Sequence, residues 1–442
     1  MTPLGFIVTL SLALIVLCGS RRTAVAAMIA PVCYITEAQV LNVAVFHLTS
    51  IRFVLLAGLI RVIARGESKY FRLNPVDKSL FVFAGATLII STLRVGSVQQ
   101  LIYEVGLLYN IFLSYFVFRC LLRDEEDYRA VLAKVAYLIV PFALLMVLES
   151  FTGRNLFSVF GGVMESSWVR DEHVRSQGPF RNPITAGAFG ATFAMLFVSI
   201  LFARGARRST IIGLVASLII VSCARSSGPF LGLGLGLLAL ACWPMRRHTL
   251  KIWWGFVAFL VGLQIVMRVP VWFLIGRASD IFGGGGYHRA YLIEQFVNRF
   301  SSWWFAGISE TSDWFPYQLA DGQSDITNMF VAAGVDAGLI GVILCVVMVV
   351  RCFQRLGIAI KAHRGTPSEK MLWGIGSTLV GSVGILFSVT YFDQTYVMWF
   401  FFLACIGSLD IRKRFLGKSA LRRNEQGKKV REALVPMRVG SA

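Results

Sequence analysis

The chain predicts an all-α fold, a polytopic bundle of twelve or thirteen transmembrane helices, and three observations carry that expectation. Of its 442 residues 56% are hydrophobic and only 15% charged, a balance far from that of soluble proteins. The apolar residues gather in stretches close to the roughly 20 needed to cross a bilayer. Most of the 43 Lys and Arg fall in every second polar segment, the asymmetry by which basic residues mark the cytoplasmic side.

Helices are expected over 3–19, 23–37, 42–64, 78–94, 100–122, 130–150, 183–204, 209–223, 226–243, 251–275, 327–352, 370–391 and 394–410. The second is marginal in length, hence twelve or thirteen, and charge alternation favours thirteen with the C-terminus inside. The first stretch lacks the charged start of a signal peptide. Arg21 and Arg22 follow its apolar run, so it reads as a retained helix with its N-terminus outside. Residues 1–410 form one integral-membrane domain, and 411–442 a flexible basic tail on the cytosolic side, attracted to anionic lipid. Two outer segments, 151–182 and 277–325, exceed ordinary loop length and are rich in aromatics and arginine.

The net charge of +19 is explained by topology, and no nucleic-acid motif is present. The eight cysteines lie within or at the ends of apolar stretches and match no zinc spacing. They read as packing residues. No DxD-type pair, HExxH, Walker A, GxSxG or kinase set occurs, and Gly283–Gly286 lacks the Lys-Ser/Thr of a phosphate loop.

Every lysine falls on the predicted inner side, whereas the outer side carries arginine alone: Arg52, Arg94, Arg154, Arg170, Arg175, Arg181, Arg225, Arg268, Arg277, Arg289 and Arg299. Lysine serves topology as well as arginine does, but the planar guanidinium grips phosphate at two points. An outer face built to hold an anion is therefore expected. Arg175 and Arg181 precede Asn182-Pro183, a cap and first-turn pair that starts a helix with its positive end exposed. Together they suggest a diphosphate cradle. The bland alternative is a capped helix with arginines snorkelling to the interface. Arg225 lies in a tight turn where Ser226 or Ser227 caps the next helix; engagement of an anion and pairing with a carboxylate such as Glu104 are both open.

In the larger segment His288 is a candidate general base, or an ordinary polar contact. Asp325 opens the helix over 327–352 as a base or as a cap. At 100° per residue Asp325, Asn328 and Asp336 share one helical face, which would line a cavity or a helix contact. Asp336 lies deep enough to require a partner or water.

These residues resemble the bacterial O-antigen ligase and O-antigen polymerase family of inner-membrane glycosyltransferases, over roughly 80–410. Arg175 to Gly187 looks like the family's arginine, glycine, aromatic, Asn-Pro segment, and Ala224-Arg225-Ser-Ser-Gly-Pro-Phe230 like its Ser-Arg-Gly turn. Arg289 with Trp303–Gly307 looks like its loop arginine and Pro-Leu-Gly-Gly stretch. Asn328-Met-Phe-Val with Gly334 and Gly338-Leu-Ile-Gly341 looks like its His-Asn helix start. Thr327 departs from the family's histidine, while Asp325 matches an aspartate of polymerase-type relatives.

The resemblance implies transfer of a glycan from undecaprenyl diphosphate to an acceptor glycan or lipid A-core at the periplasmic face. It implies no cofactor and no metal, with Arg289, Asp325 and His288 as catalytic candidates. Arg175, Arg181, Asn182, Arg225, Asn328 and Asp336 would bind substrate. Membrane lipids are the other partner, and nucleic acid is not. The competing reading is a multi-pass transporter or flippase of an anionic or lipid-linked substrate, kept open by His47, Arg52, Glu104 and Asp336. A cytosol-only reporter is expected to be active when fused after Lys418 and silent when inserted near Gly284. The reverse pattern contradicts this topology.

Overall fold

The computed structural model describes residues 1–43, 46–170, 172–201, 207–280, 286–315, 323–391 and 393–409. The basic tail expected over 411–442 and the glycines at 283–285 lie outside them.

α1 (Pro3–Cys18) and α2 (Arg21–Tyr34) lead into an antiparallel hairpin of β1 (Val40–Val43) and β2 (Phe46–Thr49), then α3 (Ser50–Ala64). α4 (Pro75–Val95), α5 (Val98–Leu121) and α6 (Glu125–Thr152) follow, and then a second small hairpin of β3 (Trp168–Arg170) and β4 (His173–Arg175). Next come α7 (Pro183–Leu201), α8 (Arg207–Ala224), α9 (Ser227–Ala241) and α10 (Thr249–Val266), with the shorter α11 (Phe273–Asp280), α12 (Gly286–Asn298) and α13 (Phe300–Trp303) after them. α14 (Met329–Ala362), α15 (Pro367–Leu386) and α16 (Thr395–Gly407) close the described chain.

All thirteen expected stretches contain a helix. Among the described residues seven helices are long and apolar enough to cross a membrane, with three shorter apolar ones beside them. This is the helix set of a membrane protein.

Three boundaries differ from expectation. Val40–Val43 and Phe46–Thr49 are paired strands, not helix: His47 meets Asn42 across them at 2.7 Å, and Thr49 then caps α3. α10 stops at Val266 instead of 275, because Pro270 has no N–H to continue the ladder. α14 starts at Met329 and breaks at Ala337–Gly338, where Gly338 adopts φ 65°, ψ −158°, a region open only to glycine. The loop after α13 fills this break. Ile308 N donates to Val335 O and Leu339 N to Trp304 O, at 2.9 and 2.8 Å. Arg94 Nη1 collects the carbonyls of Ala306, Val335 and Asp336 at 3.0, 2.6 and 3.0 Å. Backbone groups freed by the interruption are thereby satisfied, as hydrocarbon surroundings demand.

α7 is buried along nearly its whole length, with Phe189, Phe193 and Phe197 in the main core. α9 packs on α15 where Gly232 meets Gly381 and Ile385, while Gly228 meets Ser388 just beyond α15 and Gly236 faces Met195 of α7, a four-residue spacing that lets helices approach. At the opposite end of the bundle from the starts of α7 and α9, basic side chains are consumed in ion pairs. Arg21 and Arg22 hold Asp127, Arg119 holds Asp77, and Arg246 holds Glu369.

A Cβ at Gly232 would sit 2.9 Å from Gly381 O and collide with Ile385, whereas Gly234 faces open space. Gly232→Leu is therefore expected to cost about 1–3 kcal/mol and lower the unfolding temperature in detergent. Gly234→Leu should leave that temperature unchanged.

Candidate functional site

The first turn of α12 carries the central group. Arg289 is only 6% exposed. Its Nη1 donates to Ser227 Oγ at 3.0 Å and to Ser279 Oγ at 3.3 Å, and it makes no ion pair among the described residues. A Cβ at Gly228 would lie 3.4 Å from its Nη2. The guanidinium thus lies against the opening turn of α9, where free amides already present a positive end. Ser226, at the cap position, makes no capping bond, and its buried Oγ has no partner among the described residues. Burial pushes Arg289 down to about 10, and the charges of Arg170 and Arg175 push the same way. Arg289 and Arg175 converge on a helix start and meet no carboxylate among the described residues, an arrangement that an anion would relieve.

Arg175 ends β4, and its Nε reaches Ala224 O at 3.4 Å. It too is lowered, by burial and then by Arg170. The chain following it is fixed from below. Glu149, at the end of α6, accepts from the amides of Gln177 and Gly178 at 3.0 and 2.9 Å, and Ser176 N donates to Cys223 O at 3.0 Å.

Arg181 goes elsewhere. Its amide donates to Asp393 Oδ2 at 2.8 Å, and its side chain is exposed within electrostatic reach of Asp393, Glu37 and Asp325. The expectation that Arg175 and Arg181 form one cradle is corrected: the turn pinned by Glu149 sends the first to a cluster of arginines and the second to a set of carboxylates. α7 does begin at Pro183, and the Asn182 carbonyl accepts from Thr185 N at 3.2 Å.

The two base candidates meet. His288 Nε2 lies 3.3 Å from Asp325 O, and its ring stacks on Phe315 at 4.1 Å. Burial raises the Asp325 carboxyl above its ordinary range, while His288 and Arg181 pull it back. Asp325 precedes α14 in an extended stretch, so the shared helical face with Asn328 and Asp336 does not exist. Asn328 is the cap of α14, accepting from Phe330 N at 2.9 Å and Val331 N at 3.3 Å. Asp336 sits at the helix break within reach of Arg94 and Glu104, in a different group from Asp325. Arg225 adopts φ 44° in the turn between α8 and α9 with its side chain exposed. It does not pair with Glu104, which accepts from Gln100 Nε2 at 2.9 Å.

Arg170, Ser227, Ser279, Glu37 and Asp393 were not legible as site residues. Only the arginine-rich composition around Arg170 hinted at one of them. Among the described residues no three His, Cys, Asp or Glu side chains gather as metal ligands would. No family model matches the chain, and no curated protein matches it significantly.

The arginine cluster predicts anion affinity independent of any reaction. Inorganic diphosphate is expected to raise the unfolding temperature by on the order of a few degrees at saturation, and Arg289→Gln to abolish the shift. A shift retained in that variant would contradict the site.

Proposed function

We propose that the chain is a bacterial inner-membrane glycosyltransferase of the O-antigen ligase or polymerase type. It takes a glycan from undecaprenyl diphosphate at the periplasmic face and joins it to an acceptor sugar hydroxyl in surface polysaccharide assembly. The observation that carries this reading is Arg289, a buried cation held by two hydroxyls and meeting no carboxylate among the described residues, beside Arg175 and the start of α9.

The acceptor oxygen attacks the anomeric carbon, the bond from that carbon to the diphosphate oxygen breaks, and negative charge grows on the departing diphosphate. Groups already oriented at that charge stabilise the transition state more than the ground state. Arg289, Arg175 and the amides of the first turn of α9 supply that stabilisation, so the step needs no metal. Asp325 receives the acceptor proton: a carboxylate whose pKa burial has raised is a better base than an unperturbed one. His288, hydrogen-bonded at the Asp325 carbonyl, holds that stretch.

The alternative, a transporter or flippase, draws on the broken α14, since interrupted helices with charged residues mark transport sites. Here the carbonyls that would hold an ion are already taken by Arg94.

In membranes or nanodiscs, Arg289→Lys and Arg175→Lys are expected to lose at least about tenfold in glycan transfer while diphosphate-linked donor accumulates. Lysine keeps the charge but not the two-point grip. Full activity in both variants moves the assignment to the transporter. With Asp325 acting as base, transfer rises with pH through a limb above the usual carboxylate range, because the deprotonated form does the work. Asp325→Asn should be slow and lack that limb.

A further inference from the structure

Beside the arginine cluster lies a second group of charged side chains, from segments far apart in the chain, and its composition is mixed. Arg52, in the first turn of α3, donates from Nε to Asn110 Oδ1 at 2.7 Å and from Nη1 to His47 O at 3.0 Å. Neither Arg52 nor Arg181 forms an ion pair among the described residues. Glu37, in the turn after α2, is half-buried and lies within electrostatic reach of both, yet it too closes no ion pair or hydrogen bond among the described residues.

The base of the group is buried and strained. Asp393 is 7% exposed, sits at φ 59°, and accepts from the amides of Arg181 and Gln394 at 2.8 and 2.6 Å. Left-handed backbone at a non-glycine residue costs free energy and persists where surroundings impose it, often at functional sites. Gln394 is fully buried, and its Nε2 is spent on Val32 O at 2.8 Å, at the end of α2 that leads to Glu37. Its Oε1 has no donor among the described residues. A buried amide oxygen left empty marks a place where a hydroxyl or water completes the set. Burial, and then the charge of Asp393, pushes the Glu37 carboxyl up, with Arg52 and Arg181 acting in the opposite direction.

Chemistry separates the two groups. Arg289 and Arg175, which meet no carboxylate among the described residues, select an anion. Two guanidinium groups and a carboxylate within electrostatic reach, and forming no ion pair among the described residues, offer donors and acceptors together, which suits a neutral molecule dense in hydroxyls. Arg181 also lies within electrostatic reach of Asp325, so this mixed group adjoins the proposed base.

We infer that Glu37, Arg52 and Arg181, seated on Asp393 and Gln394, form the subsite that receives the hydroxyl-bearing end of the acceptor glycan. The inference rests on the glycan-transfer reading and adds to it the place and chemical class of the second substrate. In the subsite Glu37 accepts from acceptor hydroxyls, Arg52 and Arg181 donate to them, and the attacking hydroxyl is presented to Asp325. These are positioning contacts. Their loss weakens acceptor binding and leaves the donor's diphosphate on Arg289 and Arg175 untouched.

The test is steady-state transfer by the purified full chain in nanodiscs, with a polyprenyl diphosphate-linked oligosaccharide as donor and a defined oligosaccharide as acceptor. Each substrate is varied in turn for wild type, Glu37→Gln and Arg52→Gln. The acceptor KM is expected to rise at least about tenfold in each variant, as loss of a charge-assisted hydrogen bond implies, with the donor KM within about twofold. Glu37→Gln preserves shape at a half-buried position, and unfolding temperature and inorganic-diphosphate binding equal to wild type verify its fold. If that variant is misfolded, Arg52→Lys decides in its place. A wild type that transfers glycan while the variants keep their acceptor KM, or shift the donor KM instead, overturns the subsite alone. A correctly folded wild type that transfers nothing from any donor overturns the transfer reading and the subsite with it.

Discussion

A buried guanidinium at the positive end of a helix is the constraint around which this end of the bundle is organised. Taking an ion out of water costs several kcal/mol even after relaxation, and folded proteins ordinarily recover it with an opposite charge. Arg289 recovers part of it from Ser227 and Ser279, and none from a carboxylate among the described residues. The dipole of α9 and the neighbouring Arg170 and Arg175 act against it. That deficit has to be held by the rest of the fold. Gly232 brings α9 against α15 and Gly228 meets Ser388 just beyond it, while Gly286 packs on Ser279 and so fixes the first turn of α12. Glu149 ties down the amides after β4 and thereby keeps Arg175 at the cluster.

The other end of the molecule shows what a structural arginine looks like in this protein. Arg119 meets Asp77 at 2.9 Å, and Arg21 meets Asp127 at 2.6 Å, in pairs that tie helices together. Arg94 is intermediate. It works as a tethered cation for three carbonyls at the break in α14 and keeps the loop after α13 in place. Through that clamp the short helical piece from Met329 to Asp336 is held with its capped start, and the Asp325 stretch before it, at the same end as Arg289. Contacts that are saturated support the fold, and contacts left open mark where a ligand belongs.

Much of the fold was legible because long apolar runs bounded by charge are a strong signal. All thirteen expected stretches contain a helix, and the start of α7 falls at Pro183. The paired strands Val40–Val43 and Phe46–Thr49 were missed because a short apolar run has no period that separates strand from helix. The break in α14 hinges on Gly338, and one glycine inside a helical pattern does not announce a left-handed backbone. Within the site, Arg289 and Arg175 were recoverable from the outer-face bias toward arginine. The divergence of Arg181 from Arg175 was not, since six residues of chain say nothing of direction once Glu149 folds them into a turn. Glu37, Asp393 and Arg52 converge only in three dimensions, and no local spacing connects them.

The central claim is that the cluster at Arg289 is the seat of a lipid-linked diphosphate. An electron cryomicroscopy structure of the chain in nanodiscs with a non-hydrolysable polyprenyl diphosphate analogue tests it most directly. The account predicts phosphate density within hydrogen-bond distance of the Arg289 guanidinium and the first-turn amides of α9, with Arg175 closing on it. Diphosphate density elsewhere in the bundle, with Arg289 still bound only to Ser227 and Ser279, would contradict it.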